Sequence, residues 1–172
     1  MNYKRKLNNI NTFIFDVDGV LTDGTVTLFG NGDQVRKMFT RDGYAMQYAV
    51  KKGYKIAIIS GGSSKGVKQR FEYLGLTDVY LACSNKIEAF NDLVEKYDLN
   101  TEHILYMGDD LPDWEVMQKV ALPTCPHDAA TEIKEIAEYV SPFFGGAGCV
   151  RDVIEQTLRV QGKWADKDEL GW

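Results

Sequence analysis

The sequence predicts an α/β fold: a Rossmann-like parallel sheet with helices on both faces. Three observations carry that reading. Short apolar runs alternate along the chain with longer stretches whose apolar residues recur at helical spacing. The 172 residues, 44% hydrophobic, are enough to bury one core. Each apolar run ends on polar residues, the pattern expected where parallel strands reach the ligand-binding edge of an open sheet.

The first run, Thr12–Phe15 (TFIF), is short and free of charge, so it reads as a buried strand. It is followed by 25–39, TVTLFGNGDQVRKMF, two extended arms around a Gly30-Asn31-Gly32-Asp33 turn, which is a β-hairpin signature. A lone two-stranded hairpin is marginal in water. With Val26, Leu28, Val35, Met38 and Phe39 to cover, it either protrudes onto a partner chain or folds back on its own domain. An edge meander of the main sheet is the plainer alternative. Helical spacing then predicts helices over 43–52, 65–74, 87–97, 113–120, 130–137 and 150–161. Between them, strands are expected at 55–59, 79–82, 104–107 and 139–140. Strand, helix, strand, repeated, requires crossovers and hence parallel pairing. Residues 1–163 read as one domain, and 164–172, acidic and polar apart from Trp164 and Trp172, as a flexible tail.

Composition excludes several classes. The net charge is -5, from 25 acidic and 20 basic residues with no clustered basic face, so no nucleic-acid partner is expected. Three widely spaced cysteines (Cys83, Cys125, Cys149) match neither a disulfide framework nor a zinc pattern and suit a reducing cytoplasm. The amino terminus carries charge but no apolar export region, and no apolar run approaches the roughly 20 residues of a membrane span, so a cytoplasmic protein without a membrane partner is expected.

The strand ends hold the chemistry. Asp16 and Asp18 follow the first run, Ser60 the second, Lys86 stands just beyond the third, and Asp109, Asp110 and Asp113 follow the fourth. Any one of them could be a turn or cap residue. Together they deliver carboxylates, a hydroxyl and an ammonium to one edge of one sheet. Residues i and i+2 leave a strand on the same side, so Asp16 and Asp18 share a pocket. Like charges so close each raise the cost of ionising the other, and a cation is needed. All-oxygen ligation with room for water and phosphate favours Mg²⁺. A calcium loop beginning at Asp16 fails on spacing, because its sixth and twelfth positions would be Leu21 and Thr27 instead of glycine and glutamate. A carboxylate in such a pocket can attack phosphorus to give an aspartyl phosphate, with Ser60 and Lys86 as donors to the phosphoryl oxygens and Asp18 as general acid and base.

DVDG with Val20-Leu21-Thr22, Ser60 after IAII, Lys86, and GDDLPD at 108–113 resemble, in order, the four motifs of the haloacid dehalogenase superfamily of phosphotransferases. The resemblance implies Asp16 as nucleophile, Asp18 as acid and base, and Ser60 and Lys86 as the phosphoryl-binding pair. It implies Mg²⁺ held by Asp16, the backbone carbonyl of Asp18 and Asp109, with Asp113 supporting and Asp110 able to take either role. Caps in the superfamily are inserted after the first or second motif; here 19–59 and 61–85 are too short for one. The capless hairpin, the RDG at 41–43, SNK at 84–86, GDDLPDWEVM at 108–117 and GGAGCVRDV at 145–153 resemble the 3-deoxy-D-manno-octulosonate 8-phosphate phosphatase family over nearly the whole chain. That implies hydrolysis of a phosphorylated sugar acid in lipopolysaccharide precursor synthesis. It also implies a homotetramer whose hairpins meet at the centre, the 164–172 tail docking on a neighbouring subunit, and substrate contacts from Gly61, Gly62, Arg41 and Asp42.

Two positions depart from that family, which often has arginine where this chain has Gly62 and Ala147. Arg41, Lys65, Lys68, Arg70 and Arg151 remain as candidates for the substrate carboxylate. Similar phosphatases act on 9-phosphates of nine-carbon sialic-type sugar acids, which stays open as an alternative. A phospho-accepting receiver domain is the rival from another class. It places an adjacent acidic pair on its first strand and its lysine last, whereas Lys86 here precedes Asp109.

Overall fold

In a computed structural model that describes residues 2–165 and 171, the chain runs α1 (Tyr3–Lys6), β1 (Thr12–Phe15), β2 (Thr27–Leu28), β3 (Gln34–Val35), α2 (Thr40–Lys51), β4 (Lys55–Ile59), α3 (Lys65–Tyr73), β5 (Asp78–Tyr80), α4 (Lys86–Tyr97), β6 (Ile104–Met107), α5 (Trp114–Met117), β7 (Leu122–Cys125), α6 (Thr131–Ile136), β8 (Tyr139–Val140) and α7 (Cys149–Val160). Six strands form one sheet in the order β5-β4-β1-β6-β7-β8, every pair parallel. All four residues of β1 are buried, as a central strand covered on both faces must be.

Alternation along the strands splits the core in two. Phe13, Phe15, Ile56 and Ile58 face α2 and α7 with Met46, Val153, Ile154 and Leu158, while Ile14, Ala57, Ile59 and Tyr106 face α4, α5 and α6 with Phe90, Leu93, Met117 and Ile133. Helix α7 buries Cys149, Val150, Val153, Ile154, Thr157 and Leu158, a stripe at helical period. Truncating Leu158, fully buried there, removes contacts worth about 2–5 kcal/mol.

The hairpin stands apart as its own two-stranded sheet, β2 antiparallel to β3, and is not an edge meander of the main sheet. Its apolar residues are uncovered: Leu28 is 70% exposed, Phe29 54% and Val35 52%. The segments that could have carried a cap hold only the hairpin and α2, then α3 and β5.

The sheet corrects the expected element list by one strand. β7, Leu122–Cys125 (LPTC), has a proline and only four residues, and so does not read as a buried strand. It is tolerated because the Pro123 carbonyl accepts from Glu138 N on the side of β8. Carbonyl and nitrogen of one residue face the same neighbour, so the missing N–H lies against the two-residue edge strand, where little ladder is lost. The helix expected over 113–120 is a 3-10 turn, Leu111–Asp113, with the single turn of α5 after it. Among the described residues no helix is long and apolar enough to cross a membrane. Trp164 stacks edge-on against Tyr48 at 5.2 Å and lies under the Arg151 guanidinium, on its own chain. Residues 166–170 and 172 of the expected tail lie outside the described residues.

Candidate active site

Register builds the site. Phe15, the last residue of β1, pairs with Ile58 of β4 on one side and Met107 of β6 on the other, so the residues that follow these strands emerge side by side. Asp16 N still donates to the Met107 carbonyl, and the chain then leaves the sheet in a tight loop whose Val17 carbonyl receives the N–H groups of Leu21 and Thr22. Gly19 is required in that loop twice over. Its φ of +89° is left-handed, and a Cβ there would fall 1.9 Å from Asp109 Oδ2. The loop is braced from behind by the glycines after β8: Gly146 N donates to the Val20 carbonyl, and a Cβ on Gly145 would fall 2.0 Å from the Gly19 carbonyl oxygen.

Lys86 opens α4, behind an Asn85 cap, and carries its ammonium into the sheet edge, 3.0 Å from Asp16 Oδ1 and 2.7 Å from Asp113 Oδ1. Asp113 Oδ1 also accepts from the Tyr106 hydroxyl at 2.5 Å, and its Oδ2 accepts from Asp109 N at 3.1 Å. A carboxylate holding an ammonium, a phenol and a backbone N–H supports a metal site better than it ligates one. Asp110 caps the turn, its Oδ1 accepting from Leu111 N. Ser60 is buried beside them, its Oγ accepting from Gly62 N.

The electrostatics are those of a cation site. Carboxylate oxygens of Asp16, Asp109 and Asp113 lie within 4.8 Å of one another. Burial first, then the Asp113 charge, pushes Asp16 up to about 6 in spite of Lys86. Burial, then the charges of Asp16 and Asp113, pushes Asp109 up to about 8. Burial works against the Lys86 charge, but Asp113 and Asp16 outweigh it and raise the ammonium pKa. One lysine among three carboxylates leaves negative charge unmatched, and a hard divalent ion fits the all-oxygen donors of Asp16 and Asp109.

A cleft of about 810 Å³ opens over this group, lined by Asp16, Asp18, Ser60, Gly61, Gly62, Lys86, Asp109, Asp110 and Asp113. Arg41 and Asp42, the two other expected substrate contacts, do not line it. Arg41 borders a separate depression with Phe39 and Arg151. Asp42 is buried beneath the start of α7, where its Oδ1 accepts from Arg151 N. It does the capping that Gly148, without a side chain, cannot do. Burial pushes Asp42 up to about 6.

Two residues at the site escape a reading by motif. Tyr106 sits inside the apolar run ILYM, where it passes for core; its hydroxyl, fully buried, demanded a partner and is the available signal. Arg36, in the hairpin, reaches back to Asp18, Nε to Oδ1 at 2.6 Å and Nη2 to Oδ2 at 3.0 Å. Nothing local in the sequence announces that contact.

The family profile described as haloacid dehalogenase-like hydrolase matches residues 78–144. The 3-deoxy-D-manno-octulosonate 8-phosphate phosphatase KdsC of Escherichia coli (strain K12) is 42% identical over 158 residues, 92% of this chain and 84% of that protein. The crystal structure of the Yersinia pestis 3-deoxy-D-manno-octulosonate 8-phosphate phosphatase is similar at a TM-score of 0.91 and 34% identity, covering 93% of this chain and 86% of that one. The Moraxella catarrhalis 3-deoxy-D-manno-octulosonate 8-phosphate phosphatase, solved with a magnesium ion, a phosphate ion and a KDO molecule, is similar at a TM-score of 0.91 and 30% identity, with 95% of each chain covered.

Proposed function

The chain belongs to the 3-deoxy-D-manno-octulosonate 8-phosphate phosphatase family of haloacid dehalogenase-like hydrolases, and from that premise we propose that it cleaves 3-deoxy-D-manno-octulosonate 8-phosphate to the free sugar acid and inorganic phosphate. The enzyme is a phosphoric monoester hydrolase and its cofactor is Mg²⁺. The observation that carries the substrate reading is the buried contact of Asp16 with Lys86, open to a cleft large enough for a sugar phosphate.

Asp16 attacks phosphorus: a new O–P bond forms as the ester O–P bond breaks. Asp18 gives its proton to the departing sugar oxygen. In the second step Asp18 takes a proton from water, whose oxygen attacks phosphorus and frees Asp16. Lys86, on Asp16, and Ser60, at the end of β4, are placed to receive the phosphoryl oxygens. Asp16, Asp109 and the Asp18 carbonyl would hold Mg²⁺, which when bound neutralises phosphoryl charge. Lys86 and Tyr106 fix Asp113, and Asp113 in turn orients the Asp109 backbone.

A homotetramer built on the hairpins is supported by the exposed Val26, Leu28, Phe29 and Val35, which water alone does not stabilise. Neighbouring chains would then cover a cleft that no cap closes. A cytoplasmic location is supported by three cysteines that are all free. Steady-state phosphate release from the eight-carbon ester, compared with 9-phosphates of nine-carbon sugar acids, tests the assignment. The eight-carbon ester is expected to have the higher kcat/KM, and a preference for the nine-carbon ester would overturn it.

A further inference from the structure

We propose that Arg36 is a positioning residue for catalysis, a hairpin arginine whose guanidinium holds the Asp18 carboxyl group in line with the leaving oxygen. The inference rests on the phosphatase reading above and adds a residue outside its motifs.

The geometry is that of a clamp. Nε and Nη2 make two parallel bonds to the two Asp18 oxygens, at 2.6 and 3.0 Å, which fixes the rotation of the carboxyl group as well as its place. The Arg36 side chain is 6% exposed and that of Asp18 33%. The guanidinium therefore backs the carboxyl group while the carboxyl group itself keeps access to the cleft.

Core filling does not explain Arg36. Its Nη1 is buried with no hydrogen-bond partner among the described residues, a cost that an apolar side chain of the same length would not incur. What the guanidinium gains there is the pair of bonds to Asp18, with one long bond to Gln34 beside them.

Gly62 is part of the same arrangement. A Cβ at that position would stand 3.0 Å from Asp18 Oδ2 and 3.2 Å from Arg36 Nη2, so any side chain there presses on the clamp. The glycine after the motif-two strand and the hairpin arginine are thus one device: the first leaves the space that the second occupies.

A tie that merely anchored the hairpin would affect all substrates alike. A clamp on the general acid affects most the esters whose leaving group needs a proton. The test compares kcat/KM, which reports steps through ester cleavage, for the octulosonate 8-phosphate and for p-nitrophenyl phosphate, whose phenolate leaves without protonation. Arg36→Met is expected to lower kcat/KM at least about tenfold on the sugar ester and less than about threefold on the aryl ester. Arg36→Lys should recover part of the loss, and Gly62→Ala, which leaves the hairpin sequence intact, should reproduce the selectivity. Equal losses on both esters in Arg36→Met and Gly62→Ala, or no loss on either, would overturn the inference. Failure of the wild-type protein to turn over the sugar ester would instead overturn the phosphatase reading on which it rests.

Discussion

Tyr106 donates its hydroxyl to Asp113 Oδ1 at 2.5 Å, beside the 2.7 Å contact of the same oxygen with Lys86. A residue from the middle of a central strand thereby reaches the second tier of the site. Burial, then the Asp113 charge, raises the phenol pKa well above its ordinary value, so the proton stays on the tyrosine and the bond is a donation to a carboxylate. Tyr106→Phe removes one donor from a fully buried acceptor and is expected to cost about 1.5–3 kcal/mol of stability. Urea denaturation in excess Mg²⁺ measures it; a change below experimental error would show that Lys86 alone satisfies Asp113.

Asp16→Asn separates chemistry from folding. The amide cannot attack phosphorus, so phosphate release should fall to background. It also removes one of the crowded charges that burial makes expensive. Without Mg²⁺ the variant should melt at a higher temperature than the wild type. Calorimetry with and without EDTA checks the sign, and a lower melting temperature in EDTA would contradict the charge balance proposed for the site.

The pH dependence of the metal-free protein follows from the same groups. Asp16 and Asp109 have folded pKa values of about 6 and about 8, above the ordinary 3.8. The folded chain then binds protons more tightly than the unfolded one, and stability is greatest at low pH and is lost as pH rises through the folded values. The melting temperature in EDTA should fall between about pH 5 and pH 8. Mg²⁺ should flatten most of that slope, leaving the part due to Asp42, raised to about 6 by burial far from the cation site. A slope unchanged by Mg²⁺ would place the titration elsewhere. Activity should be lost in EDTA and return with Mg²⁺.

The hairpin gives a prediction about assembly. Leu28→Asp and Phe29→Asp alter side chains that are 70% and 54% exposed in the isolated chain, so they should leave its folding untouched. Light scattering after gel filtration is expected to show smaller species than the wild type. An unchanged mass would remove the hairpin from the interface.

Much of this protein is legible in its sequence because local chemistry and tertiary role agree. β1 and β4 read as strands from burial-compatible runs, and the charged residues that follow them can only be loop. The less legible parts are those where a neighbour overrides local signal. β7 contains a proline that only its place beside the edge strand excuses. Asp42, in an RDG that resembles a family motif, caps a helix more than 100 residues away. Arg36 looks like any solvated hairpin charge until the chain folds it onto Asp18.

The order of residues by itself determined the parallel α/β architecture, the set of acids, hydroxyl and lysine, and the edge of the sheet to which they are delivered, since strand periodicity and the residue after each strand are local properties. Tertiary structure alone decided which of those groups meet. Whether a carboxylate ligates, supports or is clamped depends on which donors lie within about 3 Å of it, and these come from distant segments. Asp113 is held by Lys86 and Tyr106, Asp18 by Arg36, and Asp109 is left facing Asp16 with its charge unmatched.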